Sequence, residues 1–228
     1  SMYHGQEVPG FPAHPHRGFE TVTIVRKGRI DHSDSLGATA RFGGGDVQWL
    51  TAGAGIVHCE MFPLLHQEAP NPLELFQIWL NLPAAHKMCA PHFTMFWSAD
   101  VPRATTADAQ GRRTDVAVIA GQLQNASAPL APPPHSWAAQ ADADVAIWTI
   151  RMDAGARTTL PPAAGAGTQR TLYFFKGDSA TVAGERLAHH AAIGLQANVF
   201  FFNDTATTET EFLMLQGRPI AEPVAQHG

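Results

Sequence analysis

The sequence is poor in charge. Asp, Glu, Lys and Arg make up 15% of its 228 residues, well under the ~25% usual for a soluble domain. Lysine and arginine nowhere form a run, and the net charge is −5. The cationic footprint of a protein that neutralises nucleic-acid phosphates is therefore missing. Long apolar runs are missing too. A membrane-spanning helix needs ~18 consecutive apolar residues, and the best candidate, Leu73 to Leu82, is interrupted by Glu74 and Gln77. No signal-peptide pattern is visible. Only two cysteines occur, Cys59 and Cys89, too few for a disulfide framework. Reduced thiols and a cytoplasmic setting are expected.

Hydrophobic residues are 45% of the chain, enough for a sizeable core. At ~150 residues per domain, the length suits one large domain or two small ones. Glycine (20) and proline (17) are plentiful and favour short strands joined by tight turns. Histidine, at 12 residues, is about twice as frequent as expected.

Short, β-branched, alternating segments recur along the chain. In the first half Phe19 to Arg26, Ile30 to Ser35, Ala38 to Phe42, Val47 to Leu50, Ile56 to Phe62 and Pro72 to Leu82 read as strands. In the second half Thr114 to Ala120, Asp144 to Met152, Thr171 to Phe175, Ala180 to Val182, Ala191 to Gly194, Val199 to Phe202 and Glu211 to Leu215 do so. Residues 1–18, rich in Pro, Gly and His, read as loop. The pattern predicts an all-β protein with little helix. An Ala- and Pro-containing stretch near 100–112 marks a boundary, giving one barrel over 1–104 and another over 105–228. The strand rhythm repeats, although the sequence does not.

Two histidine patterns stand out. His14-Pro15-His16 and His58-Cys59-Glu60 each place two ligand types at i, i+2, which puts both side chains on one face of an extended chain. On neighbouring strands, the pairs can aim three imidazoles and one carboxylate at one point. Such a donor set suits one divalent transition metal, and Fe(II), Mn, Ni, Co, Zn and Cu all accept it. Cys59 alternates away from its neighbours. Gly53 and Gly55 read as bend residues that bring His58 inward. Gln77, Trp79 and Asn81 share one strand face, and Gln77 is a candidate donor into a substrate pocket. After residue 113 no His-x-His or His-x-Glu occurs, and the adjacent His189 and His190 would face opposite ways on a strand.

Three blocks carry a family resemblance: HPHRGFETVT from His14, GDVQWLTAGAGIVHCEM from Gly45, and LFQIWLNL from Leu75. They resemble the pirin family of the cupin superfamily, densely over about residues 10–100 and weakly to the end, where FLMLQGRPIAEPVAQHG from Phe212 is again similar. The resemblance implies a bicupin, two jelly-roll β-barrels in tandem, with one metal in the first barrel, usually iron, and none in the second. Carried over by position, it makes His14, His16, His58 and Glu60 the ligands. Glu20 stands in the usual cupin carboxylate slot, but in pirins the Glu after the third His takes that role, so a salt bridge or hydrogen bond is expected for Glu20. His32 is expected to be a hydrogen-bonded structural residue.

Pirins usually carry several tens of residues before the first ligand His, where this chain has 13. They also usually continue past the point matching Gly228, so both barrels are expected to be short of the family's. The stretch Phe200 to Thr210 is unlike the family's turn there. The activity implied is that of a quercetin 2,3-dioxygenase, with a flavonol and O2 as substrates and Glu60 as both ligand and general base. The alternative is an iron-binding, redox-sensitive regulator acting through a protein partner. A monomer is expected.

Overall fold

The computed structural model describes residues 2–3, 8–195, 199–202 and 208–224. Among these there is no α-helix, only the 3-10 turns Ala84–His86, Trp137–Ala139 and Ala141–Ala143, and no helix is long and apolar enough to cross a membrane. The protein is all-β. The chain forms two compact units that meet in sequence between Asp100 and Val101. The first unit also takes in residues 132–139 and a C-terminal piece beginning at Glu222.

The first unit contains β1 (Met2–Tyr3), β2 (Gly10–His16), β3 (Phe19–Lys27), β4 (Arg29–Asp34), β5 (Thr39–Gly43), β6 (Val47–Thr51), β7 (Ile56–Met61), β8 (Asn71–Pro72), β9 (Glu74–Asn81) and β10 (His92–Phe96). Two antiparallel four-stranded sheets run in the orders β10-β6-β3-β9 and β2-β7-β4-β5, and β1 pairs with β8. The segment Gly10–His16, read as loop from its composition, is a strand. Its prolines are tolerated because β2 is the edge of its sheet and pairs with β7 alone.

β3 and β4 meet at Gly28, whose φ is +76° and whose Cβ, if it had one, would fall 2.4 Å from the Pro72 carbonyl oxygen. Only glycine fits that turn. One part of the interior is apolar, with Val25, Ile30, Phe42 and Phe62 packed against Leu73, Leu75 and Met95. Further along the same strands the inward positions become polar: Ile30 is followed by His32 and Asp34 on β4, and Leu75 by Gln77 on β9.

The second unit contains β11 (Arg103–Ala107), β12 (Arg113–Ala120), β13 (Ala146–Met152), β14 (Arg157–Leu160), β15 (Gln169–Lys176), β16 (Ala180–Val182), β17 (Glu185–Leu187), β18 (Ala191–Leu195), β19 (Val199–Phe202) and β20 (Thr210–Gly217). A six-stranded sheet, β11-β12-β13-β20-β15-β18, faces a four-stranded one, β14-β19-β16-β17. The interior is continuous hydrocarbon, including Val118, Trp148, Ile150, Met152, Leu160, Leu172, Phe174, Phe212 and Met214. The end of the unusual 200–210 stretch begins β20, its start lies in β19, and residues 203–207 lie outside the described residues.

Candidate metal centre

The site is built on β2 and β7. Gly10 pairs with Met61 and Phe11 with Glu60, but His14 pairs with His58 and His16 with Ile56, so β2 carries one extra residue between Phe11 and His14. Without that bulge His14 would sit opposite Val57, which is 46% exposed. A one-residue slip exchanges the two faces of a strand. The bulge therefore turns His14 and His16 to the side on which β7 holds Ile56, His58 and Glu60, all buried. The bend before β7 needs Gly53, with φ +51° and the Cys89 carbonyl oxygen 2.2 Å from where a Cβ would lie. Cys59 points the other way, toward the Ser33 hydroxyl at 3.2 Å, and both cysteines are free.

The ring nitrogens converge. His14 Nε2 lies 3.1 Å from His16 Nε2 and 3.0 Å from His58 Nε2. The tautomers follow from the outer contacts. His14 Nδ1 donates to the Pro12 carbonyl at 2.8 Å, which leaves Nε2 as a lone pair. His32 Nε2 donates to the buried Asp34 carboxylate at 2.8 Å, and His58 Nδ1 lies 3.4 Å from His32 Nδ1. Asp34 thus braces His32, which braces His58 and frees its Nε2.

Burial first, then the neighbouring His16, His14 and His32, push the His58 pKa down to about 3. Burial and then His14 lower that of His16. Neutral imidazoles are what a metal ion takes. Two donors bound about 2.1 Å from one ion at right angles are about 3.0 Å apart. The lone pairs of His14 Nε2 and His58 Nε2, 3.0 Å apart, repel one another without a cation between them, so the donor set fits a metal.

Glu60 is 2% exposed. One of its oxygens lies within 4.8 Å of ring nitrogens of both His32 and His58, while His14, His16 and His58 form a second grouping at the same limit. The structure thus joins the three histidines directly, and Glu60 joins them through His58. Glu60 Oε2 accepts from Gln77 Nε2 at 3.1 Å, and Oε1 is buried with no hydrogen-bond partner. Burial raises the Glu60 pKa, against the opposing pull of Gln77, His32 and His14.

His32 is hydrogen-bonded and stacked 5.1 Å from Phe93, and it also faces the ligand cluster. Asp34 is a site residue the sequence reading passed over, although His32-Ser33-Asp34 repeats the i, i+2 pattern. Glu20 accepts from Thr51 Oγ1 at 2.7 Å and Ser136 Oγ at 2.5 Å, apart from the histidines. His189 and His190 are exposed in the second unit.

The mouth of the site is aromatic. Trp79 is 58% exposed, with its ring 4.8 Å from Phe19 and 5.9 Å from His16, and Phe11 lies edge-on to His14 at 6.4 Å. A cavity of about 340 Å³ lined by Arg26, Arg29, Phe62, Leu65 and His66 among others includes none of His14, His16, His58 and Glu60.

Two β-barrels, the first with inward histidines and a glutamate on adjacent strands, define a cupin protein with two cupin domains. The chain belongs to the pirin family. The family model described as Pirin matches residues 1–80, and that described as Pirin C-terminal cupin domain matches 147–228. The chain is 33% identical over 224 residues to a Pseudomonas aeruginosa protein named "Putative quercetin 2,3-dioxygenase", covering 98% of this chain and 73% of the relative. A crystal structure of a quercetin 2,3-dioxygenase from Acinetobacter baumannii superposes with a TM-score of 0.81 at 31% identity, covering 100% of this chain and 74% of that one. A bacterial pirin from Escherichia coli in complex with nickel(II) shares the fold at a TM-score of 0.62 and 20% identity, covering 92% and 76%.

Proposed function

We propose that the first unit is a metal-dependent dioxygenase centre that opens a flavonol such as quercetin with O2. The observation that carries this reading is that His14 Nε2 lies 3.0–3.1 Å from the Nε2 atoms of His58 and His16, beside a buried carboxylate with one unpartnered oxygen. His14, His16, His58 and Glu60 would hold one divalent ion, for which we favour Fe(II); the nickel in the Escherichia coli pirin shows that the fold also accepts another. When bound, the ion supplies Lewis acidity and a template for O2.

The chain's own residues do the rest. Asp34 and His32 hold His58 in the tautomer that leaves Nε2 free. Burial raises the basicity of the Glu60 carboxylate, and its unpartnered Oε1 would take the proton of the flavonol 3-hydroxyl. Gln77 holds the other oxygen. Trp79 and Phe19 offer ring faces to a planar substrate at the mouth. The supporting relatives are the proteins named as quercetin 2,3-dioxygenases.

The test is direct. Iron-loaded protein is mixed with quercetin in air, and flavonol absorbance and O2 are followed, with His58→Ala as the control. Wild-type turnover that the control lacks supports the reading. Protein that holds iron yet consumes no O2 with any flavonol points to the partner-binding regulator.

A further inference from the structure

Gln77 is held at both ends of its amide. Its Oε1 accepts from the indole Nε1 of Trp79 at 3.1 Å, and its Nε2 donates to Glu60 Oε2 at 3.1 Å and to Thr23 Oγ1 at 3.4 Å. An indole N–H can only donate and a carboxylate can only accept. Turning the amide over would set N–H against N–H at Trp79 and carbonyl oxygen against carboxylate at Glu60. The indole therefore decides which end of Gln77 meets Glu60.

Glu60 depends on that contact. Among the described residues Gln77 is the only side chain that hydrogen-bonds to it, and its other oxygen is buried and unpartnered. Trp79 and Gln77 stand two residues apart on β9, facing Thr21 and Thr23 of β3 across the ladder, so they share one face. Trp79 is 58% exposed, so packing alone gives no reason for a tryptophan there.

We propose that Trp79 is a positioning residue for the Glu60 carboxylate, acting through the Gln77 amide, so that the exposed rim of the site sets how its buried carboxylate is held. The proposal rests on the reading of Glu60 as a metal ligand and base. An aromatic ligand that displaces the indole from Gln77 would loosen Glu60, which links occupancy of the mouth to the carboxylate beneath it.

The test uses the full chain stripped of metal and titrated with Co(II), whose visible spectrum reports its coordination. Trp79→Phe keeps a ring and removes the N–H. Outer partners of metal ligands typically contribute 10- to 100-fold in affinity, so we expect Trp79→Phe to bind Co(II) roughly 10-fold more weakly with an altered spectrum, and Gln77→Leu to lose more, up to roughly 100-fold. The double variant should bind no more weakly than Gln77→Leu, because Trp79 acts only through Gln77. Wild-type affinity and spectrum in Trp79→Phe overturn the proposal. So do additive losses in the double variant, or a wild-type protein that binds no Co(II). Trp79 is exposed, so an unchanged melting curve is expected of Trp79→Phe and separates the effect from misfolding. The dioxygenase reading is judged by O2 consumption, and it can fail while the Co(II) cycle holds.

Discussion

In the second barrel β13 presents Trp148, Ile150 and Met152 to the interior, β20 presents Phe212 and Met214, and β15 presents Leu172 and Phe174. In the first barrel the corresponding kind of inward row is mixed: Ile30, His32 and Asp34 on β4, and Ile56, His58 and Glu60 on β7. An apolar row needs nothing but close packing. A buried polar row needs a partner for every group, at roughly 1–3 kcal/mol for each one left unpaired. Among the described residues the first barrel leaves Thr21 Oγ1, both amide atoms of Gln48, Trp49 Nε1 and Glu60 Oε1 unpaired, against Thr114 Oγ1 and Thr210 Oγ1 in the second. The same architecture thus serves two ends. One barrel is filled with hydrocarbon, and the other gives up part of that filling for a row of polar groups.

The largest effect should come from removing a converging imidazole. His58→Ala is expected to lose most of the bound metal, and elemental analysis of wild type should give close to one ion per chain. A ratio near two would place metal in the second barrel and erase the contrast. The mirror-image change is Leu172→Ala in the second barrel, where a fully buried side chain is removed. It should cost about 2–5 kcal/mol in denaturant unfolding and leave the metal content of folded protein unchanged. Metal loss from folded Leu172→Ala would show that the barrels do not divide the work.

Glu60→Gln tests the polar row more finely. It keeps the shape and one oxygen but removes the charge and the basicity. Partial metal retention is expected, with turnover per bound iron reduced by about 10² or more, the usual contribution of a positioned base. Full turnover per bound iron would make Glu60 a ligand only.

The contrast between the barrels was half legible in the sequence. The i, i+2 spacing of His14/His16 and His58/Glu60 marks the polar row, and its absence after residue 113 marks the apolar one. The bulge that aims His14 and His16 inward was not legible, because it is a property of the register between two strands more than forty residues apart. Asp34 was not singled out either, since its role depends on His32 lying between it and His58. The strands Gly10–His16, His92–Phe96, Arg103–Ala107, Arg157–Leu160 and Glu185–Leu187 escaped the reading for a shared reason. Each is the terminal strand of its sheet, where half the ladder faces away from a partner and the sequence is free of strict alternation. The proline run at 132–134 shows a loop but not where it goes; the return of residues 132–139 to the first unit is made by contacts such as those of Ser136 with Glu20 and of His135 with His86.

The contact of Ser136 with Glu20 gives an effect that vanishes at low pH and so separates the barrels by pH. In the second barrel the buried Glu211 is paired with Lys176 at 2.5 Å. In the first, Glu20 is fully buried and held by two hydroxyls, and burial raises its pKa to about 7 despite those hydrogen bonds. In the unfolded chain a glutamate titrates near ~4.3. Below that pH both states hold the proton and Glu20 has no net effect. Between there and pH 7 the folded state keeps a proton that the unfolded state has released, so stability falls as pH rises through this window. Above pH 7 both states are ionised and the penalty is complete, at most about 4 kcal/mol. Glu20→Gln stays neutral and can still pair with both hydroxyls, since each can rotate to donate or accept. Thermal melts of the two proteins at pH 5 and pH 8 should show them close at pH 5 and the variant more stable at pH 8. All other titrating groups are shared, so the difference between the two curves isolates Glu20. A difference that does not change with pH would mean that Glu20 is ionised in the folded protein throughout, and that the first barrel tolerates a buried charge without a cation beside it.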